Sequence, residues 1–226
     1  MLSVFGRSFI RIGFGSKIVQ TNFLTHQPQI TLVNFKNITR NMSKTALVIL
    51  APGAEEMEFV IAADVLRRAG VAVTVAGLKD ATAVTCSRDV VITPDASLED
   101  SKSKNFDVVI LPGGLGGSKA MAESPLVGEI LKKQESEGRL IAAICAAPIA
   151  LAAHGIFTGK SLTSYPAMKG QLVSVYKYVD DQKVVQDGNL ITSRGPGTAF
   201  DFALKLAEVL AGEAKATEVA VGMLLK

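Results

Sequence analysis

Two cysteines, two histidines and no acidic residue before Glu55 are the scarcities of this chain. Cys86 and Cys145 are too few for a disulfide framework, which points to a reducing compartment. The histidines, His26 and His154, form no cluster with cysteines and acids at metal-ligand spacing, so no zinc site is expected. No apolar run reaches the roughly 18 residues that a membrane span needs. The nearest, residues 140–153, is short and interrupted by Pro148.

The shortage of acid is a property of the amino terminus alone. Residues 1–42 hold Arg7, Arg11, Lys17, Lys36 and Arg40. Without these five, 19 bases face 21 acids, a net charge of −2 for residues 43–226. The sequence pI near 8.8 therefore describes the leader rather than the rest, and a nucleic-acid partner is not expected. An acid-free, arginine-containing leader resembles a mitochondrial transit peptide. A helix over residues 5–12 would carry Phe5, Phe9 and Ile12 on one face and Arg7 and Arg11 on another. The alternatives are an extension without an address, or an upstream start bypassed in favour of Met42. Mitochondrial and cytoplasmic forms are expected, with the nucleus as a further compartment.

From residue 44 onward, near-continuous apolar runs alternate with amphipathic segments. Strands are expected at 46–51, 71–77, 106–111, 140–144 and 190–193, with short ones at 84–86, 90–93 and near Val184. Helices are expected at 56–69, with Phe59, Ala62, Ala63, Leu66 and Ala69 inward, at 125–137, 198–211 and 213–225. Another follows Cys145. Ser124 is the expected N-cap, with Pro125 at the first helical position. Residues 161–171 read as a polar connector. Such alternation indicates one doubly wound α/β domain over 43–226, a mostly parallel sheet covered by helices on both faces.

Ligands of such sheets bind beyond the carboxyl ends of the strands. Four of those ends carry candidate groups: Pro52-Gly-Ala-Glu-Glu-Met-Glu58, Pro112-Gly-Gly114, Cys145 and Arg194-Gly-Pro196. Cys145 closes an apolar strand just before a helix, where free N–H groups and the helix dipole favour the thiolate nucleophile. A buried, inert thiol is the competing reading. Glu55, Glu56 and Glu58 suit a helix start, but Glu58, between Met57 and Phe59, can turn toward the sheet edge and exchange a proton with the sulfur. Gly113 and Gly114 are either a tight turn or a source of N–H groups for an oxyanion. Histidine, the usual partner of a catalytic cysteine, is missing: His26 is in the leader and His154 lies beyond the following helix. A cysteine peptidase is therefore poorly supported. Cys86, in Thr85-Cys-Ser87, reads as edge-strand packing, with oxidation as the alternative.

The segments Gly53-Ala-Glu-Glu-Met-Glu58, Cys86-Ser-Arg-Asp89, Leu111-Pro-Gly-Gly114, Ala142-Ala-Ile-Cys145-Ala and Ser193-Arg-Gly-Pro-Gly-Thr198 closely resemble the Parkinsonism-associated deglycase family, the DJ-one branch of the DJ-one/PfpI superfamily. The resemblance covers residues 43–226. It implies a flavodoxin-like sandwich forming a homodimer, with Cys145 as nucleophile and oxidation-sensing thiol and Glu58 as its carboxyl partner. Gly113, Gly114 and Ala146 would supply the oxyanion-type backbone. Arg68 and Arg88 would lie near the pocket and dimer contact, and Gly195 and Pro196 would close the pocket. Tyr165, in Thr163-Ser-Tyr-Pro166, stands where relatives often place a histidine. The implied activity is cofactor-independent deglycase or glyoxalase chemistry on methylglyoxal, glyoxal and their adducts with amines. A non-enzymatic redox sensor and chaperone switched by oxidation of Cys145 is the alternative.

Overall fold

The computed structural model describes Val19–Thr21, Ile30–Leu32 and residues 43–225. The chain divides into two units, Met1–Met42 and Ser43–Lys226. In the first, β1 (Val19–Thr21) pairs antiparallel with β2 (Ile30–Leu32). The helix expected at 5–12, and His26, lie outside the described residues.

In the second unit, side-chain alternation along the strands fills two separate cores. In β3 (Thr45–Leu50), Ala46, Val48 and Leu50 face one core and Leu47 and Ile49 the other. Chain order continues with α1 (Glu56–Arg68), β4 (Ala72–Gly77), the antiparallel hairpin β5 (Val84–Thr85) and β6 (Val91–Ile92), β7 (Ala96–Ser97) and α2 (Leu98–Ser101). Next comes β8 (Val108–Leu111), where Val108 and Ile110 join the first core and Val109 and Leu111 the second. The helices α3 (Leu115–Glu123) and α4 (Pro125–Ser136) follow. In β9 (Leu140–Ile144) the same split recurs, with Leu140, Ala142 and Ile144 opposite Ile141 and Ala143. A strand alternates its side chains between faces, so continuous apolar runs mean burial on both.

The chain closes with α5 (Pro148–His154), β10 (Ser161–Leu162), α6 (Lys169–Leu172), β11 (Lys177–Tyr178), β12 (Val184–Asp187), β13 (Leu190–Ser193), α7 (Ala199–Ala211) and α8 (Glu213–Gly222). Seven strands form one sheet in the order β12-β13-β9-β8-β3-β4-β7. All neighbours run parallel except β12 and β13. Phe59, Ala62, Leu66, Phe202 and Leu206 from α1 and α7 cover one face; Met121, Leu131 and Leu151 from α3, α4 and α5 cover the other.

Order reverses at β3: the chain moves outward to β4 and returns on the far side to β8. This switch point opens a crevice between the loops after β3 and β8, the usual ligand position of open α/β sheets. Glu55 N–H donates to the Gly113 carbonyl at 3.0 Å and so joins the two loops. Cys145 leaves β9, the next strand along.

Several expected elements shift. The connector at 161–171 contributes β10, which pairs in parallel with β11, and the short helix α6. The helix α3 was not anticipated, because Gly116 and Gly117 in its first turn weaken helix propensity. Those glycines permit close approach: a Cβ on Gly117 would lie 2.9 Å from Ala54 Cα.

Candidate active site

Cys145 follows β9 in a left-handed conformation, φ +63°, which costs a non-glycine residue roughly 1 kcal/mol or more. Two backbone bonds hold it there. Its N–H donates to the Ser193 carbonyl at 3.0 Å, and its carbonyl accepts from Tyr165 N–H at 2.8 Å. The helix α5 begins only at Pro148, so the turn 145–147 separates the thiol from the helix terminus. The N–H groups that reach the half-buried sulfur are instead those of Gly114 and Ala146.

Glu58 sits in the first turn of α1 with its side chain fully buried. Its Oε2 accepts the Gly113 N–H at 2.8 Å, its Oε1 is buried without a hydrogen-bond partner, and its carboxyl stands beside the Cys145 thiol. Glycine is required at both loop positions. A Cβ on Gly113 would stand 2.5 Å from Cys145 Cβ and 2.6 Å from Glu58 Oε2. Gly114 has φ +79°, and a Cβ there would lie 2.3 Å from the Gly53 carbonyl oxygen.

Burial pushes Glu58 up to about 7, against the hydrogen bonds from Cys145 and Gly113, with the nearby Glu55 charge adding to the rise. Burial, then the charge and hydrogen bond of Glu58, push the Cys145 thiol up to about 12, while the N–H groups of Gly114 and Ala146 pull it down. The charge of Glu58 opposes ionisation of the thiol. When Glu58 holds a proton, its charge no longer opposes the thiolate and its O–H can donate to the sulfur. The thiolate form also gathers two backbone N–H donors at a half-buried site, whereas the carboxylate has one and is fully enclosed.

Gly113 needs a correction as an oxyanion donor, because its N–H is committed to Glu58; Gly114 and Ala146 remain. Arg68 is not brought to the thiol. It pairs with Asp64 on the exposed side of α1, about 15 Å along the helix from Glu58 at 1.5 Å per residue. Arg88 is exposed in the turn after β5, with its guanidinium on the Ser87 carbonyl. Burial alone would raise Glu56, but its own backbone N–H, Ser87 and Arg88 hold it low. Ser87 Oγ lies 2.9 Å from carboxylate oxygens of both Glu55 and Glu56. Cys86 is buried beside them, its thiol raised by burial and by both carboxylates.

Gly195 is buried, and Thr198 Oγ1 accepts its N–H at 3.1 Å; Pro196 is half-buried. A Cβ on Gly195 would lie 3.5 Å from the Tyr165 ring, so Tyr165 and this loop meet beside Cys145. His154 is elsewhere, its Nε2 2.9 Å from the Met121 carbonyl oxygen. Among the described residues no group of three His, Cys, Asp or Glu side chains could hold a metal ion, and no helix is long and apolar enough to cross a membrane. Sequence reasoning missed Leu115, which follows Gly114 and is half exposed.

The sequence pattern of the DJ-1/PfpI family matches residues 44–209. The chain belongs to the DJ-1/PfpI family. It is 71% identical to Protein dj-1beta of Drosophila melanogaster over 184 residues, 81% of this chain and 98% of that protein. It is 56% identical to Protein DJ-1alpha of the same species over 225 residues, 99% of this chain and 98% of that one. A Caenorhabditis elegans relative named glutathione-independent glyoxalase DJR-1.2 is 47% identical over 173 residues, 76% of this chain and 91% of its own. The crystal structure of Drosophila melanogaster DJ-1beta superposes with a TM-score of 0.81 at 72% identity, covering 81% of this chain and 98% of that one. In this chain the backbone of Gly113 and Gly114 runs between the carboxyl and the thiol.

Proposed function

We propose that the protein converts α-oxoaldehydes, free or as early adducts with amines, into 2-hydroxy acids, with Cys145 as nucleophile and Glu58 as proton carrier. The observation that carries this reading is the buried Glu58 carboxyl, fixed by the Gly113 N–H beside a strained, half-buried thiol. A relative named as a glyoxalase supports the substrate class.

The thiolate forms a C–S bond at the aldehyde carbon, and the carbonyl pair becomes an alkoxide facing the N–H groups of Gly114 and Ala146. Glu58 protonates the alkoxide. As a carboxylate it then takes the proton from the former aldehyde carbon and returns it to the neighbouring carbon, while the hydroxyl proton passes to the former ketone oxygen. The first carbon is thereby oxidised to a thioester while the ketone carbon is reduced to an alcohol, with no external oxidant. Water cleaves the thioester, releasing the 2-hydroxy acid and the thiol. With an amine adduct, the amine departs as the leaving group. The test is lactate formation from methylglyoxal under reducing, glutathione-free conditions: Cys145→Ser abolishes it, and undiminished turnover in that variant would discard the reading.

A second reading, redox sensing with or without a chaperone role, is favoured by the donors around the sulfur. Gly114, Ala146 and a protonated Glu58 would hold the oxygens of a sulfinate. Peroxide titration with peptide mapping tests it: oxygen is gained first at Cys145, and earlier gain at Cys86 or a methionine refutes it. A homodimer is proposed from the outer face of α1. Met57, Val60, Val90 and Val91 are exposed, and Phe59, Val60 and Ile92 line one groove of about 190 Å³. Val60→Lys should shift the sedimentation coefficient to that of a monomer. For localisation, the leader is proposed to deliver a mitochondrial form and a start at Met42 to give a cytoplasmic one. Amino-terminal sequencing from each fraction decides this.

A further inference from the structure

Two of the chain segments that meet Cys145 carry a half-exposed side chain. Gly114, whose N–H reaches the sulfur, is followed at once by Leu115, which is 51% exposed. Tyr165, whose N–H binds the Cys145 carbonyl, is 47% exposed. The Tyr165 backbone is fixed on every side. Its carbonyl accepts from Met168 N–H at 2.9 Å and from Ser164 Oγ at 3.0 Å, and Ser164 Oγ lies 3.0 Å from the Tyr178 hydroxyl. Its ring rests against Gly195, where a Cβ would sit 3.5 Å away. The half-exposed ring thus sits on backbone that is bonded to the residue carrying the nucleophile.

We infer that Tyr165 and Leu115 form an apolar mouth that selects α-oxoaldehydes by the group on their ketone carbon, favouring aryl and larger alkyl groups over hydrogen. This rests on the activity proposed above and refines its substrate class. The aldehyde carbon must reach the sulfur, between the N–H groups of Gly114 and Ala146. The ketone substituent then extends outward, past the two segments that carry Leu115 and Tyr165. Polar contacts would be needed to hold a hydrated or charged substituent there, and neither side chain offers more than the phenol. An aromatic substituent gains apolar contact with Leu115 and an edge or face contact with the Tyr165 ring.

The experiment compares kcat/KM for phenylglyoxal and for glyoxal, reading mandelate and glycolate, in the wild type and in Tyr165→Ala, Tyr165→Phe and Leu115→Ala. Tyr165→Ala should lower the phenylglyoxal-to-glyoxal ratio roughly five- to tenfold, mainly through KM, given the strength of aromatic pairs. Leu115→Ala should lower it in the same direction, and Tyr165→Phe should keep it. An unchanged ratio in both alanine variants overturns the inference. A ratio lost in Tyr165→Phe also overturns it, since the phenol and not the ring would then be selecting. If the wild type turns over neither aldehyde, the proposed activity fails separately, and the mouth is judged by alkylation of Cys145 with iodoacetamide and with N-phenyl iodoacetamide. A fall in the phenyl preference in Tyr165→Ala upholds the mouth, and no fall discards it.

Discussion

Gly113→Ala places one methyl group between the two reacting side chains. Its Cβ would lie 2.5 Å from Cys145 Cβ, 2.6 Å from Glu58 Oε2 and 2.9 Å from the Ile144 carbonyl oxygen. Carbon contacts are relaxed only near 3.5–4.0 Å, so about 1 Å of displacement is required. Neither neighbour gives way freely. Cys145 is held by Ser193 and Tyr165, and Glu58 can retreat only by losing the Gly113 N–H at 2.8 Å. Overpacking of this kind costs about 1–3 kcal/mol, and loosening a buried carboxyl bond a further ~1–2 kcal/mol. For a domain of this size that is a fall in Tm of roughly 5–15 °C. Misplacement by about 1 Å also predicts a loss near 100-fold in lactate formation and in Cys145 alkylation. Calorimetry and a timed alkylation assay read the two effects. Gly170→Ala is the control, since Gly170 lies in α6 with no atom within 4 Å of the added Cβ; there, stability should be equal or higher by up to about 1 kcal/mol. A Gly113→Ala protein with wild-type melting and wild-type alkylation would refute the geometry.

Glu58 predicts a distinctive pH dependence of stability. Its folded value is raised from 4.5 to about 7, so its contribution is fully present below the unfolded value and is lost as pH rises through the folded one. About 3 kcal/mol of stability should decline between those limits, and Glu58→Gln should flatten that slope in urea titrations across the same window. A slope unchanged in Glu58→Gln would assign the proton elsewhere. Asp107 makes the opposite case. Burial would raise it, yet Lys44 and the N–H and hydroxyl of Thr45 hold it low, so its contribution is lost as pH falls. Asp107→Ala should cost about 2 kcal/mol by denaturant unfolding, nearly all of it from the Thr45 bonds rather than the exposed Lys44 pair.

The sheet was legible in the sequence because burial on both faces demands unbroken apolar runs, and these are visible in 46–51, 106–111 and 140–144. Glu58 was legible for a related reason: an acid between Met57 and Phe59 at a helix start has an apolar side to turn toward. What escaped was carried by backbone. Nothing in Gly113-Gly114 says which N–H faces the carboxylate and which the sulfur, since the assignment follows from the packing of two loops distant in sequence. The helix α3 was hidden by its own glycines, and with it Leu115, whose exposure is a tertiary property. Arg68, placed by resemblance near the pocket or a dimer contact, stands about 15 Å along α1 from Glu58, so within one chain it does not reach the thiol.

The most direct measurement of the Cys145–Glu58 pair is kcat/KM for methylglyoxal, read as lactate, in the wild type, Cys145→Ser, Glu58→Gln and the double variant. Groups that act as one unit give losses that do not multiply. Each single substitution is expected to lose about 100-fold or more, with the double variant no slower than Cys145→Ser. Wild-type turnover in Cys145→Ser, or losses that multiply in the double variant, would contradict a thiol and a carboxyl acting as one unit.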